Sequence, residues 1–344
     1  MNRTLDVPVP LRIAVLCGGE SAERSVSLES GANVFRALTD GGHCCTSIDP
    51  AKTDLLAVEW ERFDVCFVAL HGAFGEDGCI QELLDGSGIP YTGSGAEASR
   101  LAFNKAAAKE RFLQAEVPTP DAHLINRNTP LVTVRRQAER LGYPLIVKPN
   151  AQGSSLGVSL VQEATALDAA LEQAFELDQN VLLETAVLGE EWTVSFLDQT
   201  QLPPIRISSQ RTVFDYQAKY LDEETGYAFV SASSRVVQRA IEDTALRACL
   251  ALGTRGLVRV DVRLDTQGCP YVLEVNTIPG MTSHSLLPKA AARLGWTMTD
   301  VCDRAVRSAL RQSVVSHNRQ KASTSNSGPR FARGNQHSGG PSSR

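Results

Sequence analysis

The sequence predicts an α/β protein built from three globular segments. Three observations carry that expectation. Short apolar runs at residues 12–17 and 63–70 are separated by a helical pattern, as in a parallel sheet with crossover helices. The chain is 344 residues long, enough for two or three domains, and is 42% hydrophobic and 21% charged, so it can bury sizeable cores. Glycine-rich loops follow both runs, at the strand ends where open sheets of this class place their ligands.

The first segment covers residues 1–100. Residues 12–17 form a buried strand, Gly18-Gly19 turns the chain, and Val26, Val34 and Leu38 mark one face of a helix. Residues 63–70 form a second buried strand that ends at His71-Gly72. The second segment, 101–188, opens with a helix through Phe103, Ala107 and Phe112, stopped by Pro118 and Pro120. A strand at 143–148, a small-residue loop at 150–157, a helix at 164–177 and a strand at 181–184 follow. In the third segment, 189–312, Trp192, Val194 and Phe196 alternate with Glu191, Thr193 and Ser195, the pattern of a half-buried strand. Val237, Ile241, Ala245, Cys249 and Leu252 recur at helical spacing, with Gly253 placed to cap the end. Two strands then flank Asp265-Thr-Gln-Gly-Cys269. The polar stretch 211–231 is too long for an ordinary connection and reads as a functional loop. Residues 313–344, rich in Ser, Asn, Gly and Arg, read as a disordered basic tail.

Charge and cysteine usage exclude several classes. The net charge is −5, and five Lys/Arg with no Asp/Glu after Ser313 leave the body at about −10. A dedicated nucleic-acid binder is therefore not expected. No apolar run reaches the roughly 20 residues of a membrane span. The first ten residues carry Asp6 and two prolines without the apolar stretch of a secretory signal. Eight cysteines without a C-x-x-C pair read as reduced thiols in a cytoplasmic protein, not as a zinc site.

Four places carry chemistry. Arg259, Asp261 and Arg263 share one face of a strand, and Glu274 and Asn276 share one face of the next. A hairpin closed by four residues sets Asp261 opposite Glu274 and Arg259 opposite Asn276. Facing carboxylates repel, and a divalent cation such as Mg²⁺ offsets that with room left for phosphates. The competing reading is a solvated face balanced by the two arginines. Lys148 followed by Gly153-Ser-Ser-Leu-Gly157 suits phosphate oxygens, although it is not the usual P-loop. Glu23, after the first strand, suits an ammonium group or a helix N-terminus. Three glycines among residues 71–78 let a ligand approach the backbone beside His71.

Taken in order, these stretches resemble the D-alanine–D-alanine ligases of the ATP-grasp superfamily. The matching residues are Gly18-Gly-Glu-Ser-Ala-Glu-Arg24, His71-Gly-Ala-Phe-Gly-Glu-Asp-Gly78, Asn104-Lys105 and Val147-Lys-Pro149 with Gly153-Ser-Ser-Leu-Gly157. They continue through Asp215-Tyr-Gln-Ala-Lys-Tyr-Leu221, Arg259-Val-Asp261 and Leu273-Glu-Val-Asn-Thr-Ile-Pro-Gly-Met-Thr-Ser-His-Ser285. The resemblance spans roughly residues 12–312.

It implies a three-domain ATP-grasp fold: an N-terminal parallel α/β domain that binds substrate and an α+β ATP-binding part. It implies ATP held by Lys105 and Lys148 under a flap bearing Ser154 and Ser155. Glu184, Ala186 and Val187 align with the adenine strand, and Glu191 with the ribose contact. Asp261, Glu274 and Asn276 align with the ligands of two Mg²⁺ ions, which Mn²⁺ can replace. Glu23 and His71 align with the first D-alanine site. Lys219 and Tyr220 lie on a lid (211–231), Lys219 with Ser285 toward the second D-alanine, and Tyr220 in a hydrogen-bonded group with Glu23 and Ser154. Arg259 and the Gly280 N–H align with oxyanion donors. The family also implies a cytoplasmic homodimer that supplies a cell-wall precursor. Ser25, Gln152 and Phe214 depart from frequent family residues. A D-alanine–D-lactate ligase, another carboxylate–amine ligase and a non-catalytic nucleotide binder are the alternatives.

Overall fold

The computed structural model describes residues 9–208, 226–229 and 235–325, with the side chains of its last helix described to Ser313. The chain runs β1 (Arg12–Leu16), α1 (Arg24–Asp40), β2 (Cys44–Ile48), β3 (Val65–Val68), α2 (Cys79–Ser87), α3 (Ala96–Phe103) and α4 (Lys105–Gln114). Next come β4 (Ala122–Asn126), α5 (Leu131–Leu141), β5 (Leu145–Pro149), β6 (Ser159–Val161), α6 (Leu167–Phe175) and β7 (Asn180–Thr185). The remainder is β8 (Glu191–Leu197), β9 (Thr200–Gln201), β10 (Ile205–Ser208), β11 (Gly226–Ala228), α7 (Arg235–Leu252), β12 (Leu257–Leu264), β13 (Pro270–Asn276), α8 (Leu286–Ala292) and α9 (Met298–Ser325).

Three sheets result. The first is parallel, in the order β2-β1-β3. Beyond the exposed Arg12, β1 and β3 are apolar because both faces are covered. Ile13, Val15 and Phe67 face α1 and α9, while Ala14, Leu16, Cys66 and Val68 face Ile80, Leu84 and Trp60. The second sheet, β4-β7-β5-β6, and the third, β11-β10-β8-β12-β13 with β9 beside β8, are antiparallel. The cleft described below lies between them.

Four differences from the sequence expectation have physical causes. The helix expected through Phe103, Ala107 and Phe112 is two helices. Asn104 leaves helical geometry (φ −85°, ψ 98°) and its side chain accepts the Ala107 N–H at 3.0 Å, capping α4. The strand expected to be half-buried, β8, is buried on both faces. Trp192, Val194 and Phe196 pack against α7, and Thr193 and Ser195 on the other face are each 1% exposed, because α8 also packs against β8. The hairpin after β12 closes with five residues instead of four, and a bulge between Asp261 and Val262 absorbs the extra one. Finally, α9 continues to Ser325, into the stretch assigned to a disordered tail. The first Gly and Pro after Ser313 are Gly328 and Pro329, so the helix meets no breaker before them. Residues 326–344 lie outside the described residues.

Chain order and layering also part company. The helices α8 and α9, from the third segment, pack on the first sheet: Leu287, Val301, Cys302, Ala305 and Val306 share one core with Val15, Leu38 and Phe67.

Candidate active site

The acidic centre is built by β12 and β13. Asp261 pairs with Glu274 and Arg259 with Asn276, as the alternation predicts; the bulge begins only after Asp261. Asp261 is 5% exposed and heavily bound. Arg259 grips it with Nε at 2.9 Å and Nη2 at 2.7 Å, Thr193 Oγ1 donates at 2.8 Å and Asn276 Nδ2 at 3.2 Å. Glu274 lies 3.7 Å from the Lys105 ammonium. Two carboxylates and an amide on neighbouring strands, each carboxylate already drawing a cation, form an oxygen donor set that fits Mg²⁺ or Mn²⁺. Among the described residues no group of three or more His, Cys, Asp or Glu suited to a metal occurs.

Beside this centre lies a cleft with Ile146, Val158, Val187 and Leu273 as apolar walls and Lys105, Lys148, Glu184, Glu191, Asp261 and Glu274 as polar lining. An apolar slot leading to cations and acids matches a nucleotide, whose base is flat and whose phosphates are charged. Ala186 adjoins the slot, and its N–H donates to the Pro144 carbonyl at 3.3 Å. Lys148 and Glu184 are buried partners at 2.8 Å. A second ammonium, Lys109, reaches the other Glu184 oxygen at 2.6 Å. Burial pushes the Glu184 carboxyl up, but the two ammoniums outweigh it and hold it below the usual range. Burial draws Lys109 down to about 8, against the pull of Glu184.

The flap joins β5 to β6. Ser154 (φ 52°) and Ser155 (φ 54°) both adopt left-handed backbone, and Ser155 lines the cleft. At its base, the Asn150 carbonyl and Oδ1 accept the Lys105 and Ala106 N–H groups at 3.1 and 2.9 Å, and Lys105 Nζ donates to the Gln152 carbonyl at 2.6 Å. The departure at Gln152 is thus neutral for this contact, which any residue's backbone makes. Ser25 is exposed on α1.

Across the flap stands Glu23, 7% exposed, at the start of α1. It makes no side-chain cap there; Ser154 Oγ donates to its Oε1 instead. A Cβ on Gly153 would lie 2.4 Å from Glu23 Oε2, and one on Gly72 2.9 Å, so a side chain at either would push the Glu23 carboxylate aside. His71 is also buried, with Nε2 3.1 Å from Ser30 Oγ and Nδ1 3.4 Å from Glu76 Oε1. Ser30 Oγ accepts the Met281 N–H at 3.1 Å and so ties α1 to the loop carrying Gly280 and Ser285. A Cβ on Gly280 would meet Ser285 Oγ at 2.7 Å. Ser285 Oγ accepts the Thr282 N–H at 2.9 Å.

The structure therefore brings together Glu23 with Ser154, Arg259 with Asp261, Glu274 and Asn276, Lys105 with Glu274, Lys148 with Glu184, and Gly280 with Ser285. Both His71 ring nitrogens face protein groups. Lys219, Tyr220, Phe214 and most of the 211–231 loop lie outside the described residues. The sequence reading passed over Ser30, Glu76, Lys109 and Thr193. Glu76 sits inside the His71 motif and offered a signal there. Ser30, Lys109 and Thr193 offered none, because their partners are distant in sequence.

Two antiparallel sheets closing on a lysine-floored cleft, with paired acids at its end, define the class: an ATP-grasp enzyme. Comparison with known proteins narrows it. The D-ala D-ala ligase C-terminus model matches residues 114–307 and the N-terminus model residues 51–94. A D-alanine–D-alanine ligase of Synechococcus sp. is 41% identical over 92% of this chain and 98% of its own. One from Stutzerimonas stutzeri is 44% identical over 83% and 90%. The crystal structure of D-alanine–D-alanine ligase from Bacillus anthracis complexed with ATP superposes with a TM-score of 0.78 at 31% identity, covering 89% of this chain and 99% of that one. The chain belongs to the D-alanine–D-alanine ligase family.

Proposed function

We propose that this chain joins two D-alanines at the expense of ATP, through an acyl phosphate, releasing ADP and phosphate for peptidoglycan precursor synthesis. The observation that carries the reading is the convergence of Asp261, Glu274 and Asn276 with Lys105 and Lys148 on one cleft. A carboxylate is a poor electrophile, so the first D-alanine attacks the γ-phosphorus and ADP leaves. The neutral amine of the second D-alanine then attacks the acyl carbon. Phosphate departs with the carboxylate oxygen that had attacked phosphorus.

Each residue has a task in this reading. Lys105 and Lys148 hold the polyphosphate, while Ser155 and the flap backbone cover it. Val187 and Ala186 border the adenine, Glu191 the ribose, and Glu184 fixes the lysine floor. Asp261, Glu274 and Asn276 hold two Mg²⁺ ions, for which Mn²⁺ can substitute. The metal, when bound, supplies charge neutralisation at the transferring phosphate. Glu23 binds the ammonium of the first D-alanine, and Ser154 and Tyr220 complete its hydrogen-bonded group. His71 shapes that subsite through Ser30 and Glu76. Arg259 and the Gly280 N–H receive the oxyanion of the tetrahedral intermediate. Ser285 and Lys219 address the carboxylate of the second D-alanine, and the 211–231 lid keeps water from the acyl phosphate.

The same reading places the enzyme in the cytoplasm as a homodimer. No helix among the described residues is long and apolar enough to cross a membrane. The three-segment division stays part of the proposal: 1–100 for substrate, 101–188 with the flap, and 189–312 with the lid.

The test is phosphate release from ATP and Mg²⁺ with D-alanine, L-alanine or no amino acid, with the product identified by mass and D-lactate offered in competition. D-alanine-dependent release with dipeptide product is expected. Release without D-alanine dependence, or mainly ester product near neutral pH, rejects the assignment.

A further inference from the structure

One buried charge has no task in the reaction just outlined. Lys109 lies one helical turn beyond Lys105 on α4 and is only 6% exposed. Its ammonium donates to Thr119 Oγ1 at 2.8 Å and to the Pro120 carbonyl at 2.7 Å, and pairs with Glu184 Oε2 at 2.6 Å. Glu184 Oε1 receives Lys148 Nζ at 2.8 Å. One carboxylate thus bridges two ammoniums, and all three side chains are less than 10% exposed.

Stability gives little reason for such a cluster. Buried ion pairs are often replaceable by apolar residues at no loss, and this one carries a surplus positive charge. That surplus lies under the cleft, with Lys148 and Glu184 in its lining. A lysine stem is flexible, so an ammonium that must meet a phosphate at one place needs a fixed partner. Glu184 is that partner, and it stays in one orientation because each oxygen has its own ammonium.

We propose that Lys109 is a positioning residue for nucleotide binding: by occupying Oε2 of Glu184 it keeps Oε1 on Lys148, and so keeps Lys148 aimed at the polyphosphate. The inference rests on the ATP reading of the cleft. A second consequence follows from charge. Burial, together with the like charge of Lys148, holds Lys109 near 8, while Glu184 and Asp121 pull the other way. Glu110, His123 and Arg140 share the outer pocket beside it. Polyphosphate at Lys148 offsets the like charge, so ATP binding near pH 8 draws a proton onto Lys109.

The experiment is calorimetric titration of the full chain with ATP and Mg²⁺, without D-alanine, at pH 8 in two buffers of different ionisation enthalpy. Wild type, Lys109→Met and Lys109→Arg are compared, and KM for D-alanine is measured in each. Lys109→Met is expected to weaken ATP about tenfold, through loss of the buried ion pair that holds Glu184, with KM for D-alanine unchanged. Lys109→Arg, which keeps the charge but does not titrate there, is expected to restore part of the affinity and abolish proton uptake. A folded Lys109→Met that binds ATP within about twofold of wild type overturns the inference. If that variant does not fold, Lys109→Gln takes its place: ATP weakened about tenfold with KM for D-alanine unchanged upholds the inference, and affinity within about twofold of wild type overturns it. Wild type that binds no ATP fails differently, because it removes the nucleotide reading of the cleft itself.

Discussion

At the scale of single residues, Ser30 shows how a neutral side chain can organise a charged site. Its hydroxyl accepts the Met281 N–H, which leaves its own proton for His71 Nε2. Nε2 then accepts, and the single proton of the neutral ring sits on Nδ1, facing Glu76. Burial raises the Glu76 carboxyl, and the charge of Glu23 adds to this while His71 opposes it. Ser30→Ala leaves two buried polar groups unpaired, at a cost of about 1–3 kcal/mol each. It should lower the urea midpoint and raise KM for D-alanine while ATP affinity stays unchanged; an unchanged midpoint and KM would count against the relay. A second prediction concerns acid. Arg24 holds the Asp49 carboxyl well below the usual carboxylate range, with burial opposing and the Gly19 and Ala51 N–H groups assisting. The folded state therefore binds fewer protons than the unfolded one as pH falls through about 4. The stability from this pair is present above that pH and is lost below it. Asp49→Asn should narrow its deficit relative to wild type as unfolding is followed from pH 6 to pH 3. His71 was legible in its glycine-rich motif, but Ser30 was not, because a small polar residue on a helix face gives no signal and its partners lie 41 and 251 positions away.

Among the elements, the pair β12–β13 shows what alternation preserves. A slip by two residues keeps Asp261 and Glu274 on one face, so the acidic pair was legible from period-two pattern alone. The bulge was not, because Leu273 looks like any strand residue. The break between α3 and α4 was hidden for a related reason. Asn104 stands in an alanine-rich helical run, and what turns it into a cap is its hydrogen bond from Asn150 Nδ2 at 3.0 Å, far along the chain. Asn104→Ala should cost about 1 kcal/mol of stability. Because the cap sets the position of Lys105, it should also raise KM for ATP more than KM for D-alanine, which steady-state kinetics with each substrate varied in turn would show. Equal rises in both would mean that the break does not serve the nucleotide.

Across the whole molecule, the last helix closes the first layer. Val301, Cys302, Ala305, Val306 and Ala309 are all below 5% exposed and pack beside Val34 and Phe67. Reading the chain in order separated these residues into the first and third segments, since apolar spacing tells which face is buried but not against what. Truncation after Gly295 should therefore abolish cooperative unfolding of the N-terminal layer, whereas truncation after Ser325 should leave the melting temperature unchanged; a folded N-terminal layer without α9 would refute the shared core. On the first layer Ser30 also meets Met281 and Glu23 meets Ser154 of the flap, and the proposed function puts the two amino-acid subsites and the nucleotide together there. The central claim is that a D-alanine carboxylate is activated there by phosphoryl transfer. It is tested most directly by supplying D-alanine labelled with ¹⁸O in its carboxylate, with ATP and Mg²⁺, and weighing the released phosphate. One labelled oxygen transferred to each phosphate, in step with dipeptide formed, is the predicted result. Dipeptide formed with unlabelled phosphate would contradict an acyl phosphate, and with it the assignment of this site.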